Sequence, residues 1–431
     1  MRMCRTSLAA SLLSLTLSAS ALAQNPTGGS PLESVYPTSR VESIGSVTDD
    51  GKNLDWQWRF SADAVYLRRD NRSHDIPIIA GPETFRFGDA KFDYQYGTRL
   101  SLGIMEDDYE FEVTFLTLNN WIANQSGVLT HGLNFDGPAA YTAAIGGAQT
   151  AVDPAVDPNF LTSGTYFSSL NAAASAGTET DALDFLQPGA VFQSKYTVDF
   201  QDVEANYKQR NQPGRWVRLG FGFRNVLVRE NGFAALSGTF SSVDADGVGV
   251  PSTSGLSSAA LTGAGAGLTF GTGTNDGFAA GDSLLFSSRT LTENRLNGVQ
   301  AISEFQWLES DYFDLGGFGK AGVYYNSVSG SISEQYNSSG SNSSTYTRNL
   351  TDKKSAAAFL GHAGVTGRFH LRRNISVVAG YEAMFLAGLA LAPDQVQTST
   401  TPVVGAASLN LRANDTMFIH GGRVGLEIVL P

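Results

Sequence analysis

Residues 92 to 105, FDYQYGTRLSLGIM, decide the reading of this chain. Every second residue, Phe92, Tyr94, Tyr96, Thr98, Leu100, Leu102 and Ile104, is apolar or nearly so, while Asp93, Gln95, Gly97, Arg99, Ser101 and Gly103 fall between them. A helix would scatter that set around its circumference. A strand has a side-chain period of two and sends the aromatic set to one face and the polar set to the other. The stretch therefore reads as a strand with a greasy face and a charged one.

The same period recurs on both sides of it. Trp56, Trp58, Phe60, Ala62, Ala64 and Tyr66 alternate with Gln57, Arg59, Ser61 and Asp63, and Tyr109, Phe111, Val113, Phe115 and Trp121 stand against Glu110, Glu112 and Thr114. YTVDFQDVEANY, residues 196–207, alternates with a slip near Gln201 that predicts a bulge. Val217, Leu219, Phe221 and Phe223 oppose Arg218 and Arg224; Val299, Ala301, Phe305 and Trp307 follow, then Phe313, Leu315, Val323 and Tyr325 around Asp314 and Lys320. Phe359, Val365, Phe369 and Leu371 oppose His362 and Arg368. Ile375, Val377, Ala379, Tyr381, Ala383 and Phe385 favour a strand over an amphipathic helix, and Phe418, Val424, Leu426, Ile428 and Leu430 oppose Arg423 and Glu427. That makes about ten strands, and a closed antiparallel membrane sheet wants an even number.

Composition agrees with an all-β chain. Of 431 residues, 42% are hydrophobic and 16% charged, with 47 Gly against 14 Pro, too apolar for disorder and too glycine-rich for a helical protein. The formal charge of −12 argues against nucleic acid as a partner, since phosphate binding needs a basic surface. The N-terminus, MRMCRTSLAASLLSLTLSASALAQ, offers Arg2 and Arg5, an apolar core from Leu8 to Leu17 and the small-x-small Ala21-Leu22-Ala23, so residues 1–23 are expected to be a cleaved signal peptide. Cleavage would remove the only cysteine, Cys4, and take the formal charge from −12 to −14 with the loss of Arg2 and Arg5. Residues 24–54, rich in Pro, Ser, Gly and Asp, read as a flexible leader, and 55–431 as one domain. Its connections alternate between tight turns, such as Met105 to Asp108 and Arg372 to Asn374, and long loops expected near 123–192, 231–283, 329–354 and 389–414. Short turns on one rim and long polar loops on the other is how outer-membrane barrels are built.

Alternation alone does not separate a barrel from a sandwich, but length and aromatic placement do. These runs last about 10–14 residues against roughly 5–8 for sandwich strands, and about 9–11 tilted residues cross a bilayer. Tyr66, Tyr96, Tyr109, Trp121, Trp307, Tyr325 and Tyr381 fall near the ends of their runs, where a lipid interface would hold them. The polar faces carry Arg59, Arg99, Arg218, Arg224, Lys320, Arg368 and Arg423 against Asp63, Asp93, Glu110, Glu112, Glu304, Asp314, Glu382 and Glu427. Charges at mid-strand cost roughly 2–4 kcal/mol for Arg or Lys on a lipid face, so they are assigned with His362 to a lumen. The expected fold is a single closed antiparallel transmembrane β-barrel of about ten to twelve strands, its narrow lumen largely filled by paired side chains.

RLNGVQ, GGFGKAGVYYN, AAFLGHAGVTGRF, VVAGYEAMFLAGLALAPDQ and the closing FIHGGRVGLEIVL resemble the recurring blocks of a planctomycete family of predicted outer-membrane β-barrel, porin-like proteins. YGTRLSLGIMEDDYEFEVTF and LGFGFRNV are similar to that family's earlier blocks, and the match runs in order along most of the chain. The resemblance implies a location in the outer membrane and a barrel architecture, with no reaction or substrate attached. Two positions depart from the pattern: His362 stands where an acidic residue is expected, and Pro431 where many outer-membrane proteins have an aromatic.

The chemistry-bearing motifs are few. His74, His131, His362, His370 and His420 are the five histidines, and no G-x-S-x-G elbow precedes one, so no enzymatic activity is expected. Asp244 to Gly247, DADG, lacks the further ligands of a calcium loop, and GAGAGLTFGTGTNDG precedes no helix that could hold a phosphate. No cofactor or metal is expected. The expected partners are outer-membrane lipid, the outer-membrane assembly machinery and small polar solutes, with a structural or porin-like role. A secreted all-β binding or adhesion module is the alternative, and an outer-membrane hydrolase comes third.

Overall fold

The computed structural model describes residues 46–47, 53–54, 56–70, 77–106, 109–134, 159–161, 185–209, 216–239, 281–339, 345–395, 399–400 and 408–430. The expected signal peptide at 1–23, most of the leader at 24–54, His74, the DADG segment and the 263–277 glycine-rich segment lie outside the described residues. Within 24–54, Ser46–Val47 pairs antiparallel with Asn53–Leu54.

The alternating runs are strands: β1 (Trp56–Asp70), β2 (Gln95–Glu106), β3 (Tyr109–Leu118), β4 (Trp121–Val128), β5 (Val191–Gln209) and β6 (Val217–Thr239). They continue with β7 (Ser283–Leu308), β8 (Phe313–Ser339), β9 (Thr345–Arg372), β10 (Ile375–Leu389), the short helix α1 (Ala392–Gln395) and β11 (Asp415–Leu430). All eleven strands belong to one antiparallel sheet, and β3 and β4 lie end to end along the same partner β5, so the ring has ten staves. Its hydrogen bonds close on themselves through β11 and β1, where Leu430 opposes Trp58 and Phe418 opposes Asp70. The fold is a closed antiparallel β-barrel with no free edge around its lower half.

The greasy face of the lower half points outward. Phe221 and Val323 are each 66% exposed, and Leu219, Phe223, Val299, Phe359, Val365, Phe369, Val424 and Leu426 are exposed with them. Such a continuous apolar belt is untenable in water on this scale and matches the hydrocarbon-facing band of a membrane barrel. No second protein layer covers Phe221 among the described residues, which removes the sandwich reading. Trp56, Trp216, Trp307 and Tyr312 mark the short-turn edge of the belt, while Tyr66, Tyr96 and Tyr325 mark the opposite edge, as interfacial aromatics do.

Strand length overturns part of the expected loop map. β7, β8 and β9 hold 26, 27 and 28 residues, and at about 3.3 Å per residue each runs roughly 90 Å, far more than a bilayer needs. The loop expected at 329–354 is therefore strand on both sides of residues 340–344, which lie outside the described residues. Residues 231–239 of the loop expected from 231, and 123–128 of that expected from 123, are strand. From the first loops, Pro77–Ala80, Phe85–Arg86, Leu133–Asn134, Asn159–Leu161 and Phe185–Leu186 assemble a separate five-stranded sheet. The loop expected at 389–414 contains α1 and a Ser399–Thr400 to Ser408–Leu409 pairing.

The reason the long strands escaped notice is an inversion of polarity along them. On β8 the outward positions are Phe313, Leu315, Ala321, Val323 and Tyr325, followed by Ser327, Ser329, Ser331 and Ser333. Inward, the order reverses: Lys320 lies low, and Val328 and Ile332 are buried higher up. β5 does the same, with Phe192, Tyr196, Val198 and Phe200 buried above Asp202, Glu204, Asn206 and Lys208 on the same face. Its pairing with β6 runs from Val191↔Ser237 to Lys208↔Gly220 without a register shift, so the bulge expected near Gln201 is absent. What changes there is the solvent on each side of the sheet. In the belt the outside is apolar; above it the outside is water and the core lies within.

Candidate functional site

The lumen has two storeys. In the short-turn storey the inward positions of all ten staves converge as ion pairs. Arg59 contacts Glu110 and Glu112. Lys208 donates to Glu304 at 2.9 Å and lies 3.4 Å from Glu112, and Arg218 pairs with Glu304. Arg224 grips Asp202 through two donors at 2.7 and 2.9 Å, and Lys320 donates to Glu204 at 2.5 Å. Gln300 adds amide hydrogen bonds to Glu204 at 3.0 Å and to Asn206 at 2.8 Å.

A second group of pairs lies on the other side. Arg99 donates twice to Glu382, at 2.6 and 2.8 Å, and the other face of that carboxylate lies 3.3 Å from His362 Nε2. Arg423 donates to Asp63 and to the Thr366 hydroxyl, both at 2.9 Å; Arg368 lies 2.9 Å from Glu427 and 3.8 Å from Asp314. The cations and carboxylates nearly cancel, as burial of so many charges requires. Between them remains a cavity of about 140 Å³, bordered by Arg99, Glu204, Lys208, Glu304, Lys320 and His362.

Two of the sequence-assigned residues belong elsewhere. Asp93 precedes β2 and is exposed, because the strand begins at Gln95 and the neighbouring Phe92 turns inward to the core. Trp121 is fully buried inside the barrel, its indole N–H donating to the Leu67 carbonyl at 3.1 Å, and is not a lipid-interface residue. The cause is one extra residue at Asn119–Asn120: Thr117 opposes Gln201 and Trp121 opposes Val198, four steps on one strand against three on the other. A one-residue slip moves every later side chain to the opposite face. Tyr66, Tyr96, Tyr109, Trp307, Tyr325 and Tyr381 are all exposed on the outer face.

Above the charged storey the lumen is sealed by an apolar core. Leu67, Leu116, Trp121, Phe200, Leu360, Met384 and Leu386 are buried together. Ile78, Ile79, Phe87 and Phe92 from the β1–β2 connection, Leu389 at the end of β10, and Leu391 and Ala392 from the β10–β11 connection join the same cluster. Gly388, at a bulge in the β10–β11 pairing, adopts a φ of +81° that turns the chain inward. Asn294 holds Ala390, two residues on, as a backbone would, accepting from Ala390 N at 2.8 Å and donating to its carbonyl at 2.9 Å, while Asn326 donates to the Gly388 carbonyl at 2.9 Å.

A buried triad secures the start of α1. Arg69 lies 2.7 Å from Glu230 and donates to the Tyr196 hydroxyl at 2.9 Å; the Tyr196 hydroxyl donates to Glu230 at 2.7 Å, and Glu230 also accepts the Ala392 N–H at 2.8 Å. The Arg69 guanidinium sits 5.2 Å from the Phe92 ring and 5.1 Å from that of Tyr196, within cation–π range. Sequence reasoning missed Asp202, Glu204, Asn206 and Lys208, although their spacing of two was the signal. It also missed Asn294, Asn326, Arg69 and Glu230, for which no local pattern exists.

No family model matches the chain, and no curated protein matches it. Among solved structures, the outer membrane protease OmpT from Escherichia coli is similar over 87% of this chain and 96% of that one, at 10% identity and a TM-score of 0.32. A FadL homologue from Pseudomonas aeruginosa is similar over 87% and 89%, at 11% identity and a TM-score of 0.22. The translocator domain of the autotransporter NalP from Neisseria meningitidis is similar over 98% and 97%, at 10% identity and a TM-score of 0.25. The ring of hydrogen bonds and the exposed belt make the chain a membrane β-barrel independently of these likenesses.

Proposed function

We propose that this chain is an outer-membrane protein whose barrel is a sealed structural body and not an open pore. The observation that carries the reading is the apolar core, which crosses the lumen from Leu67 through Trp121 and Phe200 to Leu360 and Leu386. Water and ions need a continuous polar path, and packed side chains offer none. The porin-like passage of small polar solutes expected from the charged residues is thereby confined to the short-turn vestibule, unless the β10–β11 plug is released. The resemblance to the planctomycete barrel family, together with the signal-peptide pattern, supports placement in the outer membrane through its assembly machinery.

Planar-bilayer recording tests this reading. The intact chain should give no steady single-channel current, whereas Asn294→Ala, which removes the clasp on Ala390, should give intermittent openings. Stable ohmic steps from the unaltered chain would refute the sealed barrel. Fractionation with an outer-membrane marker tests the location.

A further inference from the structure

A sealed barrel leaves its rims as the places where chemistry can occur, and one rim carries a hydroxyl, an imidazole and a carboxylate in series. His370 and Ser376 are register partners across the β9–β10 hairpin, and Asp314 lies on the adjoining β8. Ser376 Oγ is 2.9 Å from His370 Nδ1, and His370 Nε2 is 3.0 Å from Asp314 Oδ2. With the carboxylate accepting the Nε2 hydrogen, the lone pair on Nδ1 is left to accept the serine proton. That is the nucleophile, base and orienter relation needed for acyl transfer, with the two ring nitrogens in exchanged roles.

The three residues sit on strands rather than on loops. The His370 N–H donates to the Tyr312 carbonyl at 3.0 Å, and the Val429 N–H donates to Asn374 in the hairpin turn at 2.9 Å. Imidazole and carboxylate are partly open, at 27% and 15%, while Ser376 is buried at 7%, so a substrate reaches its hydroxyl from the side of the imidazole. Among the described residues the other histidines lack this series: His362 meets Glu382 through Nε2 but no hydroxyl through Nδ1. His131 Nδ1 faces both the Thr130 hydroxyl and Glu83, so no proton crosses its ring. His420 lies 3.7 Å from Asp70, too far for an orienting hydrogen bond.

We propose that Ser376, His370 and Asp314 hydrolyse carboxylate esters that carry an anionic group. Ser376 Oγ adds to the ester carbonyl as its proton passes to His370 Nδ1. Collapse of the tetrahedral adduct breaks the carbon–oxygen bond, and the leaving alkoxide takes that proton. Water then attacks the acyl-serine, giving its proton to Nδ1; the acid departs and Ser376 regains the proton. Asp314 acts as a positioning residue. Arg368, 3.8 Å from Asp314, and the exposed Arg372 and Arg373 supply the positive field that selects an anionic ester.

The test uses the full chain folded in detergent micelles, with a fluorophosphonate probe and with p-nitrophenyl succinate and acetate. The probe should label Ser376, labelling should vanish in Ser376→Ala, and His370→Ala should slow it by about 100-fold or more. Asp314→Asn should displace the pH profile of hydrolysis, and succinate should be cleaved faster than acetate. Absence of labelling in the unaltered chain, or equal labelling of Ser376→Ala while its heat-dependent gel mobility reports a folded barrel, overturns the proposal. Should Ser376→Ala fail to fold, Ser376→Cys in a Cys4→Ser background provides the second arm. Its thiol should react with iodoacetamide about 10-fold faster than the same variant carrying His370→Ala; equal rates would also overturn the proposal.

Discussion

Glu382 accepts two hydrogen bonds from Arg99 and lies beside His362, wholly removed from water. A buried pair is a poor source of stability compared with a well-packed apolar pair, but losing one partner strands the other charge, at about 3–5 kcal/mol. Glu382→Ala should therefore lower the unfolding free energy from urea titration by that amount, and the double variant Glu382→Leu with Arg99→Met should recover much of it. Asp394, in α1 and outside the spanning strands, behaves differently. Burial, and then the negative charge of Asp415, push its carboxyl up to about 8. An unfolded aspartate titrates near 3.9. Between those values the folded chain holds a proton at Asp394 that the unfolded chain has lost, so the contribution of this group to stability is fully present below about pH 4 and is lost as pH rises toward 8. The midpoint measured across that window should fall with pH for the unaltered chain and flatten in Asp394→Asn. None of this chemistry was legible in the sequence at Asp394, whose partners Asp415 and Glu230 are distant along the chain. The Arg99 and Glu382 assignments to the lumen needed only the period of two.

At the scale of the strand, a given residue type belongs on opposite faces at different heights. Val323 and Ser331 are both outward on β8, one in the belt and the other above it. Val323→Arg should cost roughly 2–4 kcal/mol when the barrel is folded into vesicles, whereas Ser331→Arg should cost little. Comparable losses at both sites would show that the upper half is not in water. The inversion also explains what the sequence disclosed and what it hid. Belt-facing runs such as Phe313 to Tyr325 have long apolar side chains on one face and were readable as strands. Ser327 to Ser333 have serine on the wet face and only Val328 and Ile332 on the dry one, so the same strand resembled a polar loop. Asn119–Asn120 hid the reversal at Trp121 because a bulge needs no distinctive side chain.

Over the whole molecule, the ring closes in a membrane at one end and is filled like a water-soluble domain at the other. Tryptophan fluorescence reads both environments at once. In single-tryptophan variants, Trp58 and Trp307, on the outer face, should be strongly quenched by brominated lipid, and Trp121, inside the barrel, should be spared. Quenching of Trp121 to the same degree would invalidate the assigned register of β4.

The collinear pair β3 and β4 carries one further consequence. A single surplus asparagine there converts the second half of a stave from a lipid-facing pattern to a core-facing one while leaving its backbone partner unchanged. Removing Asn120 would trade Trp121 for Ile122 in the interior, so an otherwise modest deletion would dismantle the seal rather than shorten a strand.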